Sequence, residues 1–349
     1  TPLVYAAPPP PRPKHLSSDT SIPQPNSSDA PDDSVGEGAE TRPPVVVVTG
    51  PTGSGKTDLS IGLAKRFDGE IINADSMQIF RYMDIGTAKP SQEERLTLPH
   101  HLFDAANPDE LYSAGRFGKE ARAVAESVHG RNRVVFLTGG TGLYIRAFLD
   151  GLIETGSVDR VLRDRLENEQ QRAAEAGDPG RLHRRLKEYD ADAAERIHPN
   201  DVRRTIRALE IQQQSGQRAS TVREAHGFRD RPFRVLHLCI DPGREVLAER
   251  IDRRAEEMIK SGLLREVRDL NDRGYGADVR PMQAIGYRHV QPVADGSDTL
   301  ANALEAMKAD TRKFARRQRT WVRALPDIHW HDPAEAEAIF DRVGEFLQG

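Results

Sequence analysis

Residues 45–57 constrain the fold of this chain more than any other stretch, because they join a run of valines to a glycine-rich loop. The four valines at 45–48, with glycine and proline after them, are typical of a short strand buried in a parallel sheet. The loop reads Gly-Pro-Thr-Gly-Ser-Gly-Lys-Thr, and the apolar residues after it recur with helical spacing. Strand, loop and helix therefore come in the order that a phosphate-binding loop requires.

This loop offers three kinds of contact to a phosphate group. Its glycines let backbone N–H groups converge on phosphate oxygens, and the helix adds free donors and the positive end of its dipole. Lys56 supplies an ammonium group, and the Thr57 hydroxyl can hold Mg²⁺. We therefore expect the chain to bind a phosphorylated ligand through Gly50, Pro51, Thr52, Gly53, Ser54, Gly55, Lys56 and Thr57.

Two further segments repeat the pattern of a short strand that runs into a polar turn. Residues 69–76 read as a strand that ends at Asp75, and residues 133–138 read as a strand that leads into Gly-Gly-Thr-Gly, with Thr141 third. The alternation predicts an α/β fold, a P-loop NTPase-like parallel sheet flanked by helices. Ligands of such sheets lie beyond the carboxyl ends of the strands, so Lys56, Asp75 and Thr141 should converge.

Composition divides the chain into three parts. Residues 1–43 are rich in Pro, Ser and Asp, which predicts a disordered extension. Residues 151–231 are rich in Arg, Glu and Gln with helical patterns, which predicts an α-helical insertion domain. The catalytic core then comprises residues 44–150 and 232–349. The predicted helices outside the first half of the core are 160–176, 180–189, 190–197, 201–215, 244–273, 300–325 and a weak one after Pro326.

Composition also excludes several classes of protein. Charged residues make up 30% of the 349 residues, and no apolar run approaches the length of a membrane span, so we expect a cytoplasmic protein without a membrane partner. Cys239 is the only cysteine, which rules out an internal disulfide and a cysteine zinc site. The net charge of −4 does not itself indicate nucleic-acid binding, although one basic face would be sufficient.

Asp75 and Thr141 are the candidates for chemistry beside the loop. Because no carboxylate ends the strand at 133–138, Asp75 is the available acid. It could hold metal-bound water, as in a kinase, or accept a proton from an attacking hydroxyl or amine. Thr141 could meet an oxyanion or a ribose, but both residues could instead cap the helices that follow. His100 and His101 have no further metal ligand at suitable spacing, so a loop role is favoured for them.

Two basic segments indicate an RNA partner. Residues 311–323 carry six cations without an intervening acid, and Phe314 and Trp321 lie among them. This composition suits phosphate contacts combined with stacking on unpaired bases, although a solvated helix face is the alternative. The predicted insertion contains the second basic segment, residues 203–207, which includes three arginines. Two basic surfaces beside a phosphate pocket suggest a structured RNA of which one exposed nucleotide is modified.

Seven motifs beyond the loop follow one another in a specific order. They are Asn-Ala-Asp-Ser-Met-Gln at 73–78, Met-Asp-Ile-Gly-Thr-Ala-Lys-Pro at 83–90, Pro-His-His-Leu-Phe-Asp at 99–104, Gly-Gly-Thr-Gly-Leu-Tyr at 139–144, His-Pro-Asn-Asp at 198–201, Ala-Ile-Gly-Tyr-Arg at 284–288 and Arg-Arg-Gln-Arg-Thr-Trp at 316–321. Together they resemble the tRNA dimethylallyltransferase (tRNA isopentenyltransferase) family from about residue 45 to 323. The single cysteine excludes the zinc finger of some relatives, so the resemblance is to the compact bacterial type.

The resemblance implies transfer of a dimethylallyl group from dimethylallyl diphosphate to N6 of the adenosine 3′ of the tRNA anticodon, with Mg²⁺ as cofactor. The partners would be the tRNA anticodon stem-loop and dimethylallyl diphosphate, and the enzyme a monomer. It implies four catalytic residues, Lys56 on the diphosphate, Asp75 as the general base, Thr141 near the reacting centre and Arg163 on tRNA and diphosphate, with Thr57 on the metal. It implies tRNA contacts by Asp75, Ser76, Met77, Gln78, Thr141, Arg163, Arg203, Arg204, Thr205, Ile206, Arg207, Gln283, Ala284, Ile285, Gly286, Tyr287, Arg288, Arg316, Arg317, Gln318, Arg319, Thr320, Trp321 and Arg323.

Two other enzymes and one binding module remain as alternatives. An adenylate isopentenyltransferase would prenylate free nucleotides, and it would not need the helical insertion or the basic helix. A P-loop kinase acting on a small molecule would turn over ATP and would need a lid with catalytic arginines. An RNA-binding module with a relic pocket is disfavoured by the intact Lys56, Thr57 and Asp75.

Overall fold

The computed structural model describes residues 42–152, 159–226 and 231–349. The extension predicted over 1–43 lies outside these residues except for its last two. The described chain divides into two compact units, one formed by residues 42–152 with 231–349 and the other by residues 159–226. None of the helices in the described ranges combines the length and the apolar character needed to cross a membrane.

The first unit is built on a parallel sheet, which has six strands in the described residues. Their order across the sheet is β3-β2-β4-β1-β5-β6, and every neighbouring pair is parallel. The α/β fold class predicted from the sequence is therefore confirmed. The strands are β1 Pro44–Thr49, β2 Gly69–Asn73, β3 His100–His101, β4 Val134–Thr138, β5 Arg234–Ile240 and β6 Ile328–His331.

Helices cover both faces of this sheet, which is why the four valines of its strand β1 are all buried. Val45 and Val47 pack into the core on one face, whereas Val46 and Val48 pack into the core on the other. The helices of the first unit are α1 Lys56–Arg66, α2 Gln92–Leu96, α3 Ala114–His129, α4 Gly142–Leu149, α10 Arg244–Lys260, α11 Leu263–Asp272, α12 Tyr287–Ala294, α13 Leu300–Val322 and α14 Ala336–Gln348, with a 3₁₀ helix at Arg280–Gln283.

The second unit is helical and has its own apolar core. Leu166, Leu182, Leu186, Ile206 and Leu209 are buried together inside it. Helices α5, α7 and α8 each begin after an aspartate whose side chain accepts a hydrogen bond from a first-turn N–H group. The helices are α5 Arg160–Glu175, α6 Arg181–Tyr189, α7 Ala191–Arg196, α8 Val202–Ser215 and α9 Ala219–His226, the last of which the sequence analysis does not predict.

Three predicted elements differ from the structure. The single helix expected over 244–273 is two helices, because Gly262 adopts the left-handed conformation with φ 102° and ends α10. The pair His100 and His101, expected in a loop, forms the short edge strand β3 beside β2. The segment after Pro326 forms the edge strand β6 before it becomes helical. Both strands are short and find their partners far away in the sequence.

Candidate active site

The phosphate-binding loop follows β1 and leads directly into α1. Gly50 has φ 145°, and a Cβ atom there would lie 2.3 Å from the Ile240 carbonyl oxygen, so only glycine fits. Gly55 adopts the left-handed conformation, with φ 94°, at the N-cap of α1. The Nζ atom of Lys56 donates a hydrogen bond to the Pro51 carbonyl oxygen at 2.8 Å. The loop therefore places its lysine over the N-terminal end of a helix, which is the arrangement that binds phosphate.

The surroundings of Lys56 destabilise the charged form of its side chain. Burial and, to a smaller extent, the charge of Arg254 lower the pKa of Lys56 from 10.5 to about 8, although the charge of Asp75 acts in the opposite direction. The lysine thus lies within the field of one cation and one carboxylate. An anionic ligand bound here would compensate two positive charges that the protein leaves poorly balanced.

Arg254 is a further candidate site residue, one that the sequence motifs do not single out. It lies on α10, burial lowers its pKa, and the charge of Asp75 partly offsets that shift. Among the residues that the structure describes, no hydrogen bond or ion pair engages its guanidinium. One turn earlier, Arg250 donates a hydrogen bond to the Ser54 carbonyl oxygen at 3.3 Å. The signal was the spacing of two arginines four residues apart beside the buried stripe of α10.

Asp75 lies immediately beyond β2 and is held in a tight turn. Its Oδ1 atom accepts a hydrogen bond from the Met77 N–H at 2.8 Å, and its own N–H donates to Asn73 Oδ1 at 2.9 Å. Within residues 42–152 and 231–349, no hydrogen bond engages its Oδ2 atom. One carboxylate oxygen thus shapes the turn, and the second is available to a substrate.

Thr141 follows β4 and contacts the same turn. Its Oγ1 atom accepts from the Ser76 N–H at 3.0 Å and lies 3.2 Å from the Ser76 hydroxyl. It occupies the N-cap position of α4, yet its side chain makes no capping hydrogen bond. The two turns also touch through the backbone, since the Thr141 N–H donates to the Ala74 carbonyl oxygen at 3.2 Å. Thr141 therefore holds the segment that carries Asp75.

Strand order explains why these groups meet. β4 lies between β1 and β2, so the loops after the three strands emerge side by side at one edge of the sheet. The charge of Asp75 raises the pKa of Lys56 and, after burial, that of Tyr144 on α4. The structure thus brings Lys56, Asp75 and Thr141 together, as their positions after strands predict.

Other residues that the resemblance implies in tRNA binding differ widely in exposure. Tyr287 is fully buried, and its hydroxyl donates to Glu266 at 2.7 Å. Gln78 donates from Nε2 to the carbonyl oxygens of Thr87 and Ala88. Gln318 is 7% exposed. Arg316 and Arg317 are exposed on α13, and Arg323 is exposed at its C-cap.

The second unit carries the remaining predicted contacts. Arg163 donates two hydrogen bonds, of 2.6 and 2.7 Å, to the fully buried carboxylate of Glu210, which Arg207 also contacts at 3.0 Å. Arg203 and Arg204 are exposed on α8. The next two residues, Thr205 and Ile206, are buried. Glu210 therefore fixes the direction of two arginines on the surface of this unit.

Comparison with known proteins gives concordant matches. A family model described as IPP transferase matches residues 78–325, and one described as isopentenyl transferase matches residues 43–104. The tRNA dimethylallyltransferase of Desulfatibacillum aliphaticivorans is 45% identical over 304 residues, which cover 87% of this chain and 98% of the relative. That of Desulfosudis oleivorans is 47% identical over 314 residues, which cover 89% and 98%.

Solved structures extend the likeness to three dimensions. The tRNA isopentenylpyrophosphate transferase of Bacillus halodurans aligns with a TM-score of 0.64 and 37% identity, covering 87% of this chain and 96% of that one. A eukaryotic dimethylallyltransferase acting on tRNA aligns with a TM-score of 0.73 and 29% identity, covering 88% of this chain and 80% of that one.

Proposed function

This chain belongs to the IPP transferase family, and on that basis we propose that it transfers a dimethylallyl group from dimethylallyl diphosphate to N6 of the adenosine 3′ of the anticodon in tRNA. The products are N6-(dimethylallyl)adenosine and diphosphate. The observation that carries the proposal is the phosphate-binding loop with two poorly compensated cations, Lys56 and Arg254, and an acid, Asp75, beside it.

The first task of the site is to stabilise the leaving group. The bond between the allylic carbon and its oxygen breaks, and the electron pair leaves with the diphosphate. The loop N–H groups, Lys56 and Arg254 stabilise the negative charge that develops on the diphosphate oxygens. Because the loop N–H groups and Lys56 are held in place before the ligand arrives, they need little reorganisation during the reaction.

The second task is to deliver the nucleophile. N6 of adenine forms the new bond to the allylic carbon, and the surplus proton passes to a base. Asp75 is suited to this role because its Oδ2 atom is uncommitted and Thr141 fixes its turn. The adenine must first leave the stack of the anticodon loop, and the basic residues of α13 and α8 are suited to bind the surrounding RNA backbone.

The residues present fit a magnesium ion bound mainly by the substrate. In the part of the chain that the structure describes, the Thr57 hydroxyl forms no hydrogen bond, and no cluster of three or more acidic, histidine or cysteine side chains could form a metal cage. Magnesium commonly takes one or two protein ligands, with phosphate oxygens and water as the rest. Thr57 would hold such an ion, which would supply charge neutralisation for the departing diphosphate.

The substitution Thr57→Val tests this role. We expect the Mg²⁺ concentration for half-maximal prenylation to rise at least about tenfold, because even indirect support of a metal ligand is worth about 10- to 100-fold in affinity. Thr57→Ser, which keeps the hydroxyl, should restore the wild-type requirement. An unchanged magnesium titration in the valine variant would remove Thr57 from metal binding.

The lowered pKa of Lys56 predicts proton uptake on binding. A diphosphate favours the charged lysine, so it raises the pKa from about 8, and at pH 8.5 binding should take up about three-quarters of a proton at this site. Affinity for dimethylallyl diphosphate should accordingly fall as pH rises through 8. Calorimetry in buffers of different ionisation enthalpy measures the uptake, and Lys56→Met is the control in which it should vanish.

One assay tests the proposed function as a whole. The protein is incubated with undermodified tRNA, dimethylallyl diphosphate and Mg²⁺, and the nucleosides are then analysed by mass spectrometry. We expect a prenylated adenosine located next to the anticodon. Prenylation of free adenylate but not of tRNA would favour the adenylate isopentenyltransferase, and ADP formed from ATP without prenyl product would favour the kinase.

A further inference from the structure

Gln318 on α13 bridges two loops of the active site. Its Oε1 atom accepts a hydrogen bond from the Thr52 N–H at 2.8 Å, and its Nε2 atom donates to the Gly140 carbonyl oxygen at 3.1 Å. The side chain is 7% exposed, so both ends of the amide are used inside the protein. A single side chain thus joins the phosphate-binding loop to the loop that carries Thr141.

The packing around this bridge leaves no room for a side chain at Gly140 or Gly142. A Cβ atom on Gly140 would lie 2.2 Å from Gln318 Nε2, and one on Gly142 would lie 2.2 Å from the ring of Trp321. Beside them, Arg319 forms an ion pair of 2.7 Å with Asp241, which follows β5. Three positions of α13 therefore contact the loops that follow β1, β4 and β5.

The contacts made by Gln318 extend through Thr141 to the turn that carries Asp75, the proposed general base. From Gly140 the loop passes to Thr141, which binds the Ser76 N–H through its hydroxyl and the Ala74 carbonyl oxygen through its own N–H. We propose that Gln318 is a positioning residue of the transfer reaction, setting the separation between the bound diphosphate and Asp75. The inference rests on the proposed function, and it gives Gln318 a different role from the RNA contact that the resemblance implies.

Separation matters because bond formation and bond cleavage occur on one carbon. The amine must stand about 3–3.5 Å from that carbon, and a displacement of about 1 Å can cost about 100-fold in rate. Removing the amide would leave the Thr52 N–H and the Gly140 carbonyl without their partner, and the two loops could then shift independently. The loss should appear in the chemical step.

The test uses the substitutions Gln318→Leu and Gln318→Glu in the full chain. Leucine removes both hydrogen bonds at similar size, whereas glutamate keeps the acceptor for Thr52 and sets a carboxylate against the Gly140 carbonyl. With both substrates saturating, we expect the single-turnover rate to fall about 100-fold in each variant. Binding of a tRNA anticodon stem-loop should stay within about twofold of wild type, because no RNA contact is lost.

Gln291→Leu is the matched control. Gln291 is also a nearly buried glutamine, at 9% exposure, but its amide donates to Asp295 at the C-cap of its own helix rather than to an active-site loop. This variant should lose thermal stability and keep its rate. A rate in the Gln318 variants no lower than in Gln291→Leu would overturn the proposal.

Two further results would refute either the positioning role of Gln318 or the proposed function. Stem-loop binding weakened about tenfold with an unchanged saturated rate would make Gln318 an RNA contact and refute the positioning role. If the wild-type protein formed no prenylated adenosine in tRNA, the proposed function itself would be refuted, and this inference with it. Because the first result concerns only the variants, the two failures can be told apart.

Discussion

Asp75→Asn is expected to lower the single-turnover rate of prenyl transfer about 10³-fold, which is typical for the loss of a general base. The asparagine oxygen can still accept the hydrogen bond that Asp75 Oδ1 takes from the Met77 N–H, so the turn should keep its shape. What disappears is the acceptor for the proton that the amine must lose. The rate is measured by quenching the reaction at successive times, with enzyme and dimethylallyl diphosphate both in excess over tRNA.

Binding measurements separate this effect from a damaged site. The affinity for the tRNA stem-loop should be retained, since asparagine preserves the size and shape of the side chain. Asp109→Asn, which neutralises an exposed carboxylate of the same unit, should leave the rate at the wild-type value. If Asp75→Asn prenylated tRNA at the normal rate, another group would have to receive the proton.

Arg254→Met is expected to lower kcat/KM for dimethylallyl diphosphate about 10²- to 10³-fold, the usual effect of removing one preorganised group from a site of developing charge. Its guanidinium is poorly solvated and, among the described residues, has no protein partner, so it should gain most from the diphosphate. The same substitution should raise the pKa of Lys56, because the charge of Arg254 now lowers it.

This pair of effects distinguishes electrostatics from packing. In Arg254→Met, the proton uptake that accompanies diphosphate binding at pH 8.5 should shrink, since Lys56 would already be more protonated. Arg253→Met is the neighbouring control: Arg253 is exposed and lies 3.8 Å from Glu257, and both observables should stay at wild-type values. Wild-type proton uptake in Arg254→Met would show that the two cations do not interact.

The centre of the fold and the site could be predicted because local sequence determines it. Four valines can only be buried on both sides, and glycines at 50 and 55 supply backbone conformations that other residues rarely adopt. The convergence of Asp75 and Thr141 with the loop followed from their positions after strands. These inferences need no knowledge of distant contacts.

The features that were missed depend on such contacts. Arg254 lies four residues after Arg250 on α10, but only the packing of that helix shows that this side of it faces the phosphate-binding loop. Gln318 lies in a basic segment whose composition suggests RNA, whereas its partners lie some 180 to 270 residues earlier. The edge strands β3 and β6 are too short to show alternation, so only pairing with β2 and β5 defines them.

Helix α14 has a consequence for how the protein is made. Ile339 and Val343 complete the core beneath Leu63 of α1, and Phe340 lies against Phe67 with ring centroids 6.2 Å apart. On the ribosome, the helix that supports the phosphate-binding loop must therefore wait, with its apolar side uncovered, until nearly all of the described chain has been synthesised. We expect a nascent chain stalled before residue 336 to expose this apolar side of α1 and to bind dimethylallyl diphosphate weakly, because the helix behind the phosphate-binding loop lacks its support.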